Sequence, residues 1–103
     1  MATFEPRSSL GRRVVACRGE LIAAAADRRA SNLRVFGSVA RGEDTDSSDV
    51  DFLVDLDVSA TPMDLLSLGC DLEDILGTRV DIGTPESLRP VVRDEIMAEA
   101  VSV

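Results

Sequence analysis

The sequence contains no histidine, tyrosine, tryptophan or lysine, and only two cysteines and three phenylalanines among its 103 residues. Without histidine, imidazole acid–base chemistry and nearly every zinc-site pattern are excluded. Any metal must be held by oxygen, which means Mg²⁺, Mn²⁺ or Ca²⁺. With Phe4, Phe36 and Phe52 as its only aromatics, the core must be built from Leu, Val, Ile and Ala. Cys17 and Cys70 lie far apart, on apolar stripes of predicted helices, and are expected to be buried free thiols. No apolar run approaches the roughly 20 residues that span a bilayer. The start, "MATFEPRSSLGRR", lacks the apolar segment of a signal peptide, so the expected location is the cytoplasm.

The length suits one compact domain over residues 1–103, and 45% apolar residues suffice for a core. The net charge of −8 is unevenly spread. Residues 1–41 carry eight Arg against three acids, and residues 42–103 three Arg against sixteen. So acidic a chain is a poor binder of nucleic acid, where phosphate neutralisation supplies most of the affinity. Its acidic half suits a metal or a basic partner instead.

Apolar residues keep a helical period from Ser9, a predicted N-cap, to about Arg29. "LRVF" (33–36) reads as a strand ending abruptly at Gly37-Ser38, and "VDFLVDL" (50–56) as a second strand. In that second strand Phe52 and Val54 share one face, and Asp51, Leu53 and Asp55 the other. "TPMDLLSLGCDLEDILG" (61–77) is a helix with its own punctuation: Thr61 as N-cap, Pro62 at the first position, Asp64 completing a capping box and Gly77 as the stop. Gly69 within it suggests a close packing contact. "TRVDI" (78–82) is a third strand, and a last helix runs from Pro90 to about Ala100. The expected fold is α/β (α+β), a small mixed sheet with helices packed against it.

Chemistry concentrates in "FGSVARGEDTDSSDVDFLVDL" (36–56). A strand that turns at Gly37-Ser38 into a short helix presents free backbone N–H groups, and with the Ser38 hydroxyl these suit a phosphate. Arg41, one turn on, brings a guanidinium fork to the same place. Asp49 and Asp51, at i and i+2 of a strand, share a face with Cα atoms roughly 6.5 Å apart, so their carboxylates suit one hard cation. Phosphoryl and nucleotidyl transfer with two ions usually needs a third carboxylate. Asp55 lies too far along the strand, and Asp71 and Asp74 belong to a helix and are expected to be solvated. Asp81, in a strand able to pair with 50–56, is the best remaining candidate.

"GSVARGEDTDSSDVDFLV" resembles the signature of the minimal nucleotidyltransferases of the polymerase-beta superfamily, Gly-Ser-x-Ala-Arg-Gly-x5-Ser-Asp-x-Asp-x-x-Val. Gly37, Ser38, Ala40, Arg41, Gly42, Ser48, Asp49, Asp51 and Val54 match it without a gap. The resemblance is strongest to the MNT antitoxins encoded beside HEPN-domain ribonuclease toxins. It implies an enzyme that uses ATP and Mg²⁺ (Mn²⁺ as an alternative) to place AMP on a tyrosine of the toxin. On that mapping Gly37, Ser38 and Arg41 handle the nucleotide's phosphates. Ser48, also in the nucleotide-binding set, orients the start of the strand. Asp49, Asp51 and Asp81 form the catalytic, metal-holding set, with Asp81 nearest the acceptor hydroxyl. Because the chain has no tyrosine, such an acceptor belongs to another protein, which favours a stable hetero-oligomeric complex with the toxin. Two other readings stay open: an antitoxin that acts by binding alone, and a nucleotidyltransferase for a small molecule.

Overall fold

The structure is a computed structural model and describes residues 3–103. Helices α1 (Ser9–Ala16) and α2 (Arg18–Asp27) lead into strand β1 (Ala30–Phe36) and the short helix α3 (Gly37–Arg41). Strand β2 (Val50–Leu56), helix α4 (Pro62–Leu76) and strand β3 (Val80–Gly83) follow. A 3-10 turn at Pro85–Ser87, helix α5 (Pro90–Glu99) and strand β4 (Val101–Ser102) complete the fold. The four strands form one mixed sheet in the order β3-β2-β1-β4. β1 runs antiparallel to both β2 and β4, whereas β2 and β3 are parallel. The expected mixed sheet with packed helices is what the chain adopts.

The core is aliphatic, as the shortage of aromatics requires. Val35, Val50, Phe52 and Val54 from the sheet are fully buried with Val14, Leu21, Leu68 and Leu72 from the helices. Phe52 is the largest of these, and its truncation to Ala would cost about 3–5 kcal/mol. Leu53, on the aspartate-bearing face of β2, is fully buried as well. The sheet is therefore covered on both sides at its centre, and the period-2 pattern of β2 is incomplete.

α4 forms as its punctuation dictates. Thr61 Oγ1 accepts from the Asp64 N–H at 3.3 Å, and Asp64 Oδ2 accepts from the Thr61 N–H at 2.9 Å. Such a cap is worth about 1 kcal/mol. Gly77 ends the helix in the left-handed region at φ 69°. Gly69 does mark a close contact: a Cβ there would lie 3.2 Å from Ile82 Cγ2 of β3.

Several expectations are corrected. The leading helix is capped by Ser8, whose Oγ accepts from the Gly11 N–H at 2.9 Å, and it breaks at Cys17. Gly19, one of the two glycines of that segment, lies within a turn of the break. β1 begins at Ala30 rather than Leu33, its early part hidden from the pattern by a bulge between Ser31 and Arg34 where Asn32 takes φ 54°. Both cysteines are free, but Cys17 is only half-buried and Cys70 is exposed. α4 buries Leu68, Leu72 and Leu76 at a four-residue spacing, and Cys70 falls on the far side of that stripe. Asp71 is not simply solvated: its Oδ2 accepts from Arg28 Nε at 2.9 Å, linking α4 to α2. No helix among the described residues is long and apolar enough to cross a membrane.

Candidate active site

The site is built where β1 turns into α3 beside the start of β2. Gly37 makes that turn with φ +73°, a conformation costly for any residue with a Cβ. A second constraint acts at the same position. Phe36 and Asp51 are partners across the antiparallel pair, so Asp51 lies directly over the turn. A Cβ on Gly37 would overlap Asp51 Oδ2 and approach Asp51 Cγ to 3.1 Å. The phosphate-type turn and the cation-type carboxylate predicted from sequence are thus in contact.

Asp81 is the in-register neighbour of Asp51 on the parallel strand β3, and its side chain is exposed. Asp49 precedes β2. Its Oδ1 is shielded from solvent and makes no hydrogen bond; Arg79 Nε stands 3.0 Å away but off the direction a hydrogen bond requires. Burial pushes the Asp51 carboxyl up to about 6, helped by the charges of Asp81, Asp49 and Glu99 and partly opposed by Arg41. Mutual repulsion of this kind is what a divalent cation relieves.

The donor set therefore fits a hard cation: it is all carboxylate oxygen, with one shielded oxygen that makes no hydrogen bond and is ion-paired only to the exposed Arg79, and one carboxyl whose ionisation is opposed. Among the described residues no three acids already converge closely enough to hold an ion by themselves. Water and a nucleotide's phosphate oxygens would have to complete any coordination shell, as is usual for Mg²⁺.

The remaining predicted residues fall in two groups. Ser38 is half-buried in the turn, and its hydroxyl makes no hydrogen bond to the described residues. Ser48 Oγ accepts from the Thr45 N–H at 2.8 Å, which closes the loop before β2 and fits a residue that orients the strand's start. Arg41 is exposed and ion-paired, its Nε 2.6 Å from Glu43 and its second fork nitrogen 2.5 Å from Glu99. These two carboxylates, Glu43 first, hold the guanidinium above its ordinary pKa.

Asp55 stays outside the site, as its distance along β2 implied. It accepts from Arg34 at 2.8 Å and from Asn32 at 3.0 Å. Glu99 is the residue sequence reasoning missed. Its Oε2 accepts from the Gly37 N–H at 3.0 Å, so a side chain from α5 occupies the first backbone donor of the turn. Glu99 lies 62 positions from Gly37, and no spacing marks it.

Comparison with known proteins agrees with this geometry. Residues 20–103 match the family described as Nucleotidyltransferase domain. MJ0435 of Methanocaldococcus jannaschii, a candidate protein adenylyltransferase, is 42% identical over 67% of this chain and 74% of its own length. The protein adenylyltransferase MntA of Thermococcus cleftensis is 39% identical over 67% of this chain and 70% of its own. A solved structure of a candidate minimal nucleotidyltransferase superposes with a TM-score of 0.82 at 38% identity, covering 90% of this chain and 95% of that one. A chain from a crystal structure of a toxin-antitoxin with AMP-PNP shares the fold, with a TM-score of 0.69 at 20% identity over 82% of this chain and 69% of that one. The chain belongs to the nucleotidyltransferase domain family, among the minimal nucleotidyltransferases related to the protein adenylyltransferase MntA.

Proposed function

We propose that this protein is a single-domain, cytoplasmic antitoxin that transfers AMP from ATP to a tyrosine of a HEPN ribonuclease toxin, with Mg²⁺ as its metal and a stable complex as its working form. The observation that carries this reading is the contact between Gly37 and Asp51, which brings a phosphate-type turn against a cation-type carboxylate. The relation to MntA and the fold shared with a toxin-antitoxin chain support the protein acceptor.

In the reaction, the tyrosine oxygen bonds to the α-phosphorus, the α–β phosphoanhydride bond breaks, and pyrophosphate leaves. When bound, the cation supplies charge neutralisation for the phosphates and acidifies the acceptor hydroxyl. Gly37 and Ser38 hold the triphosphate with backbone and hydroxyl donors, and Arg41 adds its fork. Asp49 and Asp51 would hold the cation beside the turn that binds the triphosphate. Asp81, exposed and opposite Asp51, would join them in holding the cation and takes the hydroxyl proton. Most of the rate then comes from positioning and charge stabilisation. An apolar hollow of about 340 Å³ between α4 and β3 has Asp81 in its lining, and the exposed Leu66 on its rim gives a protein acceptor a foothold.

One observation favours a second reading, an antitoxin that works by binding alone: Glu99 takes the Gly37 N–H and one arm of Arg41, two donors that a phosphate would use. The mass of the toxin separates the two. Incubation of the neighbouring toxin with this protein, ATP and Mg²⁺ adds one or more AMP units under the first reading, and none when Asp49→Ala and Asp51→Ala are combined. A toxin silenced at unchanged mass establishes binding alone.

A further inference from the structure

Glu99 holds two groups of the nucleotide turn at once. One carboxylate oxygen accepts from the Gly37 N–H at 3.0 Å and the other from the Arg41 guanidinium at 2.5 Å. Two oxygens of one anion, bridging a backbone donor and a guanidinium, is the arrangement a phosphate would take there. The side chain is 24% exposed, so the contact is a seated one. Glu99 is the last residue of α5, and α5 fully buries none of its residues. Besides Glu99, its C-terminal turn is held by the Ala100 N–H donating to the Ile96 carbonyl at 2.8 Å and by β4, which follows directly and pairs with β1. A hollow of about 310 Å³ lined by Phe36, Gly37, Arg41, Val92, Glu95 and Ile96 adjoins the contact, giving room for an incoming group.

We infer that Glu99 is an internal occupant of the nucleotide turn, displaced by the triphosphate on binding, so that this one carboxylate sets nucleotide affinity and couples it to the order of the last turn of α5. The inference rests on the nucleotidyl-transfer reading of the turn. A site that opens only when an internal group leaves binds its ligand more weakly by the fraction of time it is open. Glu99 thereby weakens nucleotide binding in the free protein, and its departure marks the nucleotide-loaded state.

The test is calorimetric titration of α,β-methylene ATP with Mg²⁺ into the wild-type protein, Glu99→Gln, Glu99→Ala and Glu95→Gln. Glu95 lines the same hollow one turn earlier and makes no hydrogen bond to Gly37, so it reports the effect of charge alone. Removing the occupant lowers Kd by about tenfold or more in both Glu99 variants. Glu95→Gln changes Kd by about twofold at most, since a solvated charge acts weakly. Amide exchange at Ala100 quickens in the wild-type protein when the analogue is added; in Glu99→Ala it is fast from the start. Equal or weaker binding by both Glu99 variants overturns the inference and leaves the transferase reading standing. An equal gain in Glu95→Gln overturns it too, because charge then explains everything. No binding by any of the four proteins overturns the transferase reading, and this inference with it.

Discussion

Gly37 and Asp51 exclude a side chain between them: a Cβ at position 37 would overlap the carboxylate oxygen of Asp51 and sit 3.1 Å from its Cγ. The glycine is thus required twice, once for its φ of +73° and once for the space. Gly77 separates these requirements, because it has φ +69° and nothing within 4 Å of an added Cβ. Each Gly→Ala change should cost about 1–2 kcal/mol from the left-handed backbone, a loss of roughly 5–15 °C in Tm. Only Gly37→Ala should also displace Asp51, lowering AMP transfer by about 100-fold, as misplacement of a positioning group commonly does. Thermal melts beside transfer assays on the two variants check this; equal loss of transfer in both would remove the special role of the Gly37–Asp51 contact.

The Asp51 carboxyl is held at about 6 by burial first and then by the charges of Asp81, Asp49 and Glu99. Between the unfolded chain's ordinary value near 4 and that raised value, the native state binds more protons than the unfolded one. The stability contributed by protonated Asp51 is therefore fully present below about pH 4 and lost as pH rises through about 6. Asp51→Asn escapes that loss. In metal-free buffer at pH 7.5 it should be more stable than wild type by about 1 kcal/mol, discounted for the partial exposure of the site. At pH 4 the advantage should vanish. Mg²⁺ or Mn²⁺ should raise the wild-type Tm at pH 7.5 and leave the variant's unchanged. A variant less stable than wild type at pH 7.5 without metal would contradict the repulsion inferred at this site.

Asp55, two residues beyond Leu53 on the same face as Asp51, has a different task. Arg34 has only 6% of its side chain exposed, and Asp55 Oδ1 is its carboxylate partner at 2.8 Å. The Arg34 Nε also donates to the Asn32 carbonyl at 3.2 Å. Asp55→Ala leaves the guanidinium buried without its counter-charge. The partner is half-exposed, so the cost should be about 1–2 kcal/mol rather than the larger value of a fully buried pair. Urea denaturation should show a lower midpoint, while AMP transfer per folded molecule stays at the wild-type rate. Loss of transfer without loss of stability would place Asp55 in the chemistry instead.

What was legible in the sequence was local. The capping box of Thr61 and Asp64, the stop at Gly77 and the strand at 50–56 are each encoded within a few residues, and each forms at the expected place. The turn at Gly37 and the start of β2 are separated by one short loop, so their adjacency follows from an antiparallel pair that the chain forms directly. Asp81 required one further step, the pairing of β3 with β2, which the apolar pattern suggested and the register places opposite Asp51. β4 is two residues long and carries no period of its own. The bulge in β1 hides Ser31 and Asn32 among polar residues, and the break at Cys17 interrupts a stretch that stays apolar throughout. Glu99 reaches the site only through tertiary packing of α5 beside α3, and a lone Glu in "MAEAVSV" looks like any solvated acid.

The position of Asp81 separates binding from chemistry. It faces Asp51 across two parallel strands, yet it is exposed and makes no hydrogen bond or ion pair with Gly37, Ser38 or Arg41. Under the proposed reaction it serves the acceptor side: it completes the cation's ligands and receives the hydroxyl proton, whereas the nucleotide's phosphates rest on the turn. Asp81→Asn should therefore leave Kd for Mg²⁺ with α,β-methylene ATP within about threefold, since most of the phosphate contacts persist. The transfer rate should fall by about 100-fold or more, the usual worth of a positioned acid–base group. The same substitution removes one of the charges that raise the Asp51 carboxyl, so Asp51 should titrate closer to its ordinary range. Single-turnover transfer with the toxin as acceptor, read beside the binding titration, checks both expectations. A large loss of nucleotide affinity with an unchanged single-turnover rate would move Asp81 to the nucleotide side and leave the proton without this acceptor.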